Sequence, residues 1–197
     1  MHDINSDTDT KNKIFLVAAH LFAEKGYNGV SMREISEHSG VSKPMIYYYF
    51  ENKEGIYKQL LETGLNHGGE IIKQALDEEI SFREKLKIIM QKRLTLTQIY
   101  PDFSRFFLLL NTSSTKFPVT KEFEDKIETH RNLFKGLIQE GIDSGEFGPR
   151  VNPVLAIDII GAVLIHYVRK YLNNDDMKSP EEISDEVIEL LFRGLNE

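Results

Sequence analysis

Apolar residues along the chain recur every three to four positions, and no stretch shows the clean alternation of a half-buried strand. Ile14, Val17, Ala18, Leu21 and Phe22 fall on one face at helical spacing, which predicts a first helix over about 10–25, stopped by Gly26. A second helix is predicted from Ser31 to Gly40. Ser31 and Glu34 have the S-x-x-E spacing of a capping box, and Val30 with Ile35 suits a hydrophobic staple. A third follows Val41, with Ser42 as N-cap, Pro44 tolerated in the first turn, and Ile46 and Phe50 pointing inward. A fourth starts near Asn52, a good N-cap, and carries Ile56, Leu60, Leu61 and Leu65 as its stripe. Further helices are predicted at about 81–98, 102–112, 119–144, 153–172 and 181–195, with Pro101, Pro118, Pro149, Pro153 and Pro180 at the breaks. The chain therefore reads as all-α, with about nine helices.

The segment Ser31–Phe50 carries the strongest signal. Two short capped helices are joined by Ser39-Gly40-Val41, a turn too short for antiparallel packing, so they must cross steeply. Ile35, Val41, Ile46 and Phe50 seal that corner against the first helix, and the N-terminal half of the third helix faces outward. It presents Lys43, Met45, Tyr47 and Tyr48, a cation and aromatic rings suited to phosphates, base edges and thymine methyls. Arg33 and Lys53 stand in the first turns of the flanking helices, where they can reach phosphate. A plain helical corner is the competing reading, but three consecutive tyrosines on a short helix cannot all be core. These are the features of a helix-turn-helix that reads a DNA major groove.

The charge is −7 overall, which by itself argues against a nucleic-acid partner. Its distribution changes that. Residues 1–10 are net −3, residues 11–60 net +2 and residues 61–197 net −6, so the helix-turn-helix lies in the only net-basic segment. The excess is small, so binding must rest on a few placed cations and on two copies acting together. There is no Cys, hence no disulfide, thiolate metal site or Cys nucleophile, which suits a reducing cytoplasm. The six histidines lack HExxH or other metal-ligand spacing, and no GxSxG, Walker or dinucleotide glycine pattern occurs, so no metal or cofactor is expected. An enzyme with the helix-turn-helix as scaffold finds no acid/base or nucleophile constellation to support it. The N-terminus lacks a signal-peptide core, and the longest apolar run, Val154 to Val168, is too short and too polar to span a bilayer.

The ordered string Ala18, Leu21, Phe22, Gly26-Tyr27, Val30-Ser31, Arg33-Glu34-Ile35, Ser39-Gly40-Val41-Ser42, Tyr47-Tyr48-Tyr49-Phe50 and Lys53-Glu54 resembles the tetracycline-repressor (TetR) family over about 11–61. The resemblance implies a tail at 1–9, a DNA-binding domain at 10–55 and a helical ligand-binding and dimerisation domain at 56–197. It implies DNA contacts from Ser31, Arg33, Ser42, Lys43, Pro44, Met45, Tyr47, Tyr48, Tyr49 and Lys53. Tyr49 departs from the pattern, since the family very often has His there. The implied function is a homodimeric regulator, most simply a repressor, on a near-palindromic double-stranded operator, released by a small-molecule effector. Control by a protein partner is the alternative that the sequence leaves open.

The C-terminal residues support this independently. The helix over 153–172 is apolar almost all round, and that over 181–195 is amphipathic. Two such helices from each of two chains make a four-helix bundle, with Leu155, Ile159, Val163, Val187 and Leu191 as interface candidates. The pocket candidates are Tyr100, Phe103, Phe106, Phe107, Asn111, His130, Phe134, His166 and Tyr167, apolar residues with a few polar groups. Each is equally open to a core reading. Gly64, Gly68 and Gly69 weaken the fourth helix by about 1 kcal/mol each against Ala. Either that helix must deform, in a module joined to the rest of the chain only through it, or a neighbour approaches closely.

Overall fold

A computed structural model describes residues 4–112, 121–173 and 177–195. Among the described residues there are nine α-helices and no strand: α1 (Ile4–Lys25), α2 (Met32–Ser39), α3 (Lys43–Phe50), α4 (Lys53–Leu76), α5 (Phe82–Ile99), α6 (Pro101–Thr112), α7 (Lys121–Asp143), α8 (Pro153–Leu172) and α9 (Pro180–Leu195). The all-α class is confirmed. Most boundaries lie within two residues of those read from periodicity. The exception is α1, which begins at Ile4 rather than near Thr10. The run Asn5 to Asp9 has no apolar stripe to betray a helix, but acids at a helix N-terminus favour its extension.

The helices form two units, one from residues 1–64 and 101–119, the other from 65–100 and 120–197. The division falls inside α4, beyond the boundary expected at 55–56, and assigns α6 to the N-terminal unit. In that unit Ile14, Ala18, Leu21, Phe22, Ile35, Ile46, Phe50, Ile56, Tyr57 and Leu60 are buried. Phe106 of α6 joins them, edge-on to Tyr57 with ring centroids 5.2 Å apart and 6.3 Å from Phe22. Such aromatic pairs add roughly 0.5–1.5 kcal/mol each beyond area burial. The helix-turn-helix is therefore tied to the later chain through α6 as well as through α4, which corrects the expectation of a single connection.

The second unit has its own core. Ile72, Phe82, Leu86, Ile89, Leu94, Leu137, Ile138, Phe147, Ile188 and Phe192 converge from α4, α5, α7, α9 and the turn after α7. Gly141 lies beneath the Phe82 ring; a β-carbon there would fall 2.4 Å from Cδ1, so only glycine lets α7 approach so closely. Lys85 is buried, and its Nζ donates to the Leu76 carbonyl at the end of α4 and to Glu140 at 2.6 Å. Removing Glu140 would leave the buried Lys85 charge with only the Leu76 carbonyl to compensate it.

Candidate functional site

The helix-turn-helix is set by local chemistry. Ser31 caps α2: its Oγ accepts from the Glu34 N–H while the Glu34 carboxylate accepts from the Ser31 N–H at 2.9 Å, completing the capping box. Val30 and Ile35, the staple pair, are both buried. Lys25 of α1 donates to the same carboxylate at 2.9 Å. That Lys25 hydrogen bond, followed by those from Ser31, lowers the Glu34 pKa to about 2. The turn is equally determined. Gly40 adopts φ +65°, the left-handed cap that favours glycine, and its N–H donates to the Ser36 carbonyl. Ser36 Oγ donates to the Val41 carbonyl at 2.7 Å, and buried Ser39 accepts from the Val41 N–H.

Ile46 and Phe50 clamp α3 inward, as expected, and the opposite face is left bare. Met45, Tyr47 and Tyr48 are 40%, 47% and 74% exposed. Ser42, Lys43 and Pro44 at the start of α3 are exposed as well, and Tyr49 is half-buried beside Tyr48, ring centroids 5.3 Å apart. Ser42 is the N-cap by position, yet its side chain makes no capping bond, which leaves the hydroxyl open to an outside partner. Arg33 is exposed and paired with Glu37 one turn on, at 2.7 Å. An exposed pair of this kind is worth little and is readily exchanged for a phosphate.

Two expected contacts have internal duties. The Ser31 hydroxyl is used within the capping box. Lys53 is half-buried; its Nζ donates to the carbonyls of Tyr27 at 2.9 Å and Val30 at 2.8 Å, and lies 4.3 Å from the Tyr27 ring centroid. An ammonium has three donors, so Lys53 works chiefly as a strut between α4 and the turn before α2. Sequence reasoning passed over Lys13, an exposed cation of α1 whose Nζ would lie 3.8 Å from a β-carbon at Gly40. Its polar position on α1 was the available signal.

The expected pocket set divides between the units. Phe103, Phe106 and Phe107 pack together on α6 in the N-terminal unit, with Phe15 stacked on Phe103. Phe106 is fully buried there, a core residue. His130 and Phe134 meet in the second unit with rings 5.5 Å apart, Tyr167 packs on that unit's core, and Tyr100 and His166 are exposed. The side chain of Asn111 lies outside the described residues. A groove of about 470 Å³ runs between α4 and α5, lined by Ile71, Ile88, Lys92 and Leu96 among others, and none of the expected residues lines it.

Another group emerges instead. Arg93 sits on the buried stripe of α5, one or two turns from Ile89, Met90 and Thr97. Its Nη2 lies 3.2 Å from His130 Nε2, and its buried Nε has no hydrogen-bond partner. Burial pulls the guanidinium pKa down. Burial, and then the Arg93 charge, lower His130 to about 4. A charge interrupting an apolar stripe at helical spacing was the signal in the sequence.

Among the interface candidates, Leu155 and Ile159 are exposed, at 57% and 38%, beside Val154 at 55%. Val163 and Leu191 are partly buried against the core of their own chain. Val187 is buried in it, while Leu190 of the same helix is 72% exposed. The stripe of α9 is apolar as its spacing predicts, and at Val187 it packs into the core of its own chain. Among the described residues no His, Asp or Glu cluster has the form of a metal site, and no helix is long and apolar enough to cross a membrane.

A capped two-helix corner with an aromatic, cationic outer face, joined to further helical layers, defines a helix-turn-helix DNA-binding regulator. Residues 14–60 match the family described as bacterial regulatory proteins, tetR family. The fatty acid metabolism regulator protein of Bacillus subtilis (strain 168) is 25% identical over 185 residues, 93% of this chain and 94% of that protein. The structure of FadR from Bacillus subtilis in complex with stearoyl-CoA superposes with a TM-score of 0.70 at 27% identity, covering 92% of this chain and 97% of that one. AibR, solved with isovaleryl coenzyme A and operator DNA, shares the fold with a TM-score of 0.74 at 19% identity, covering 93% and 98%. Residues 14–60 are thus similar to the DNA-binding segment of tetR-family regulators, and the chain as a whole is similar to DNA-binding transcriptional regulators.

Proposed function

We propose that the protein is a homodimeric repressor that leaves a near-palindromic operator when a fatty acyl thioester binds its second unit. The observation that carries the DNA half is the bare face of α3: Met45, Tyr47 and Tyr48 exposed on a helix whose other side is clamped by Ile46 and Phe50. Lys43 and the open Ser42 hydroxyl stand at its N-terminus, and Arg33 and Lys13 flank it as phosphate contacts. The net charge of +2 over residues 11–60 is too small for tight binding by one copy. Two copies on a two-fold axis reach successive major grooves about 34 Å apart, or somewhat more. The exposed apolar face of Val154, Leu155 and Ile159 with Leu190 supports pairing through α8 and α9. A regulator of chromosomal DNA works in the cytoplasm.

The acyl thioester is suggested by the relatives, of which one is a fatty acid regulator and two were solved with coenzyme A thioesters. Titrating stearoyl-CoA with and without operator tests it. Linkage requires the operator to weaken ligand binding by the factor by which the ligand weakens operator binding, typically about 5–150-fold. Equal ligand affinity in both titrations would remove the ligand-responsive half of this reading.

A further inference from the structure

The second unit holds a half-buried cation, its Nε fully buried, with no protein anion to meet it. Arg93 reaches inward from α5, and among the described residues no carboxylate lies within ion-pair distance of its guanidinium. Buried charges are ordinarily paired, since desolvating one alone is costly. A guanidinium has no acceptor, so in the Arg93–His130 contact the imidazole Nε2 must accept, which places the imidazole proton on Nδ1. The low pKa of His130 agrees with a neutral ring beside a fixed positive charge. Arg93 Nε–H is thus a donor without a protein acceptor, on a guanidinium held by a neutral His130 ring. Part of the surface of both residues remains accessible.

Gly68 of α4 completes the arrangement. A β-carbon there would lie 2.6 Å from Arg93 Nη2 and 2.8 Å from His130 Nε2, so the pair is pressed against the α4 backbone. Beyond His130, Phe134 meets its ring edge-on, and Leu133 and Phe134 continue into the apolar core. The guanidinium thus has aliphatic and aromatic side chains behind it, the setting that suits an anionic group on an apolar ligand.

We propose that Arg93 and His130 form the anion-binding end of the effector site and hold an oxygen of a carboxylate or phosphate carried by an apolar ligand. This rests on the ligand-responsive reading above and specifies the chemistry of the ligand. An oxyanion accepts from the unpaired Nε–H of Arg93 while His130 Nε2 holds Nη2 in place, and charge-assisted bonds of this kind are the strong ones. The anion end of the site lies against the α4 backbone at Gly68. Function is then stored as an unpaired charge in the free protein, a cost to stability that the ligand removes.

The test uses the full chain, as wild type, Arg93→Met and Arg93→Lys, with stearate, stearoyl-CoA and octadecanol as probes, read by melting midpoint and by titration. Arg93→Met is expected to raise the ligand-free midpoint. It is also expected to weaken the anionic probe about 10–100-fold while octadecanol is unaffected. Arg93→Lys, which keeps the charge and loses Nε, falls between. Preference for stearate over stearoyl-CoA assigns the anion to a carboxylate, and the reverse to a phosphate. Wild-type affinity for the anionic probes in Arg93→Met overturns the anion site and leaves the ligand-responsive reading standing. So does a lower ligand-free midpoint in that variant, which marks Arg93 as structural. If no acyl probe binds wild type, the acyl reading fails, and inorganic phosphate then tests the site alone. A midpoint raised by phosphate in wild type but not in Arg93→Met supports the site, and no such difference overturns it.

Discussion

A β-carbon at Gly64 would lie 1.9 Å from Cζ of Phe107, so α4 and α6 meet in the N-terminal unit at a point where no larger residue fits. The glycines of α4 are close-approach positions at 64 and 68, not general weaknesses of the helix. Gly64→Ala should therefore overpack this contact and cost about 1–3 kcal/mol in denaturant unfolding. Gly69, whose β-carbon would meet only Leu133 Cδ1 at 3.8 Å, is the helix-stiffening site; Gly69→Ala should be neutral or stabilise by up to about 1 kcal/mol. Equal effects at the two positions would show that helix propensity, and not Phe107, decides.

Lys53 and Lys43 should separate in their salt dependence. Lys43→Ala removes an exposed cation at the start of α3 and should lower the slope of log affinity against log salt by about one unit per subunit. Lys53→Ala removes two bonds to Tyr27 and Val30 carbonyls, so it should lower the melting midpoint more than it changes the slope. Filter binding across a salt series with parallel melts checks both. A full-unit slope change in Lys53→Ala at unchanged stability would restore it as a phosphate ligand.

Glu34 gives an acid-side signature. Its folded pKa of about 2 lies below the 4.5 of an unperturbed carboxylate. A depressed carboxylate contributes stability that is complete above the unfolded value and is lost as pH falls through the folded one. The wild-type midpoint should thus decline between about pH 4.5 and 2 more steeply than that of Glu34→Gln. His130 acts in a separate window. Its folded value of about 4 lies below 6.5, so the unfolded chain binds the proton first and stability falls as pH drops from 6.5 towards 4. His130→Gln should flatten that part of the profile. Parallel curves for wild type and variant would remove the assignment in either window.

The assembly prediction distinguishes neighbours on α8 and α9. Leu155→Asp or Ile159→Asp places a charge on an exposed apolar face and should yield a folded monomer with weak operator binding, measured by analytical ultracentrifugation and anisotropy. Val187→Asp places it in the core and should unfold the unit. A Leu155→Asp dimer with unchanged affinity would move the interface elsewhere.

The helix-turn-helix was legible because its determinants are local. The Ser31–Glu34 box, the left-handed Gly40 and the Ile46–Phe50 clamp each act within a few residues. What lay beyond the sequence was the long-range partner of each apolar face. Phe106 reads equally well as pocket or core until Phe22 and Tyr57 are seen against it. Val187 and Leu190 share one amphipathic helix, and only packing shows which faces its own chain. Lys53 looked like a phosphate ligand because the carbonyls that hold it come from the turn before α2.

Two symmetric copies are expected to read DNA through the bare face of α3. Footprinting of genomic DNA with wild type, Lys43→Ala and Tyr47→Ala tests it most directly. The expected result is a protected near-palindrome whose half-site centres lie about 34 Å or somewhat more apart, with binding weakened by about 1–3 kcal/mol in each variant. Absence of any protected site, or wild-type protection in both variants, would contradict it.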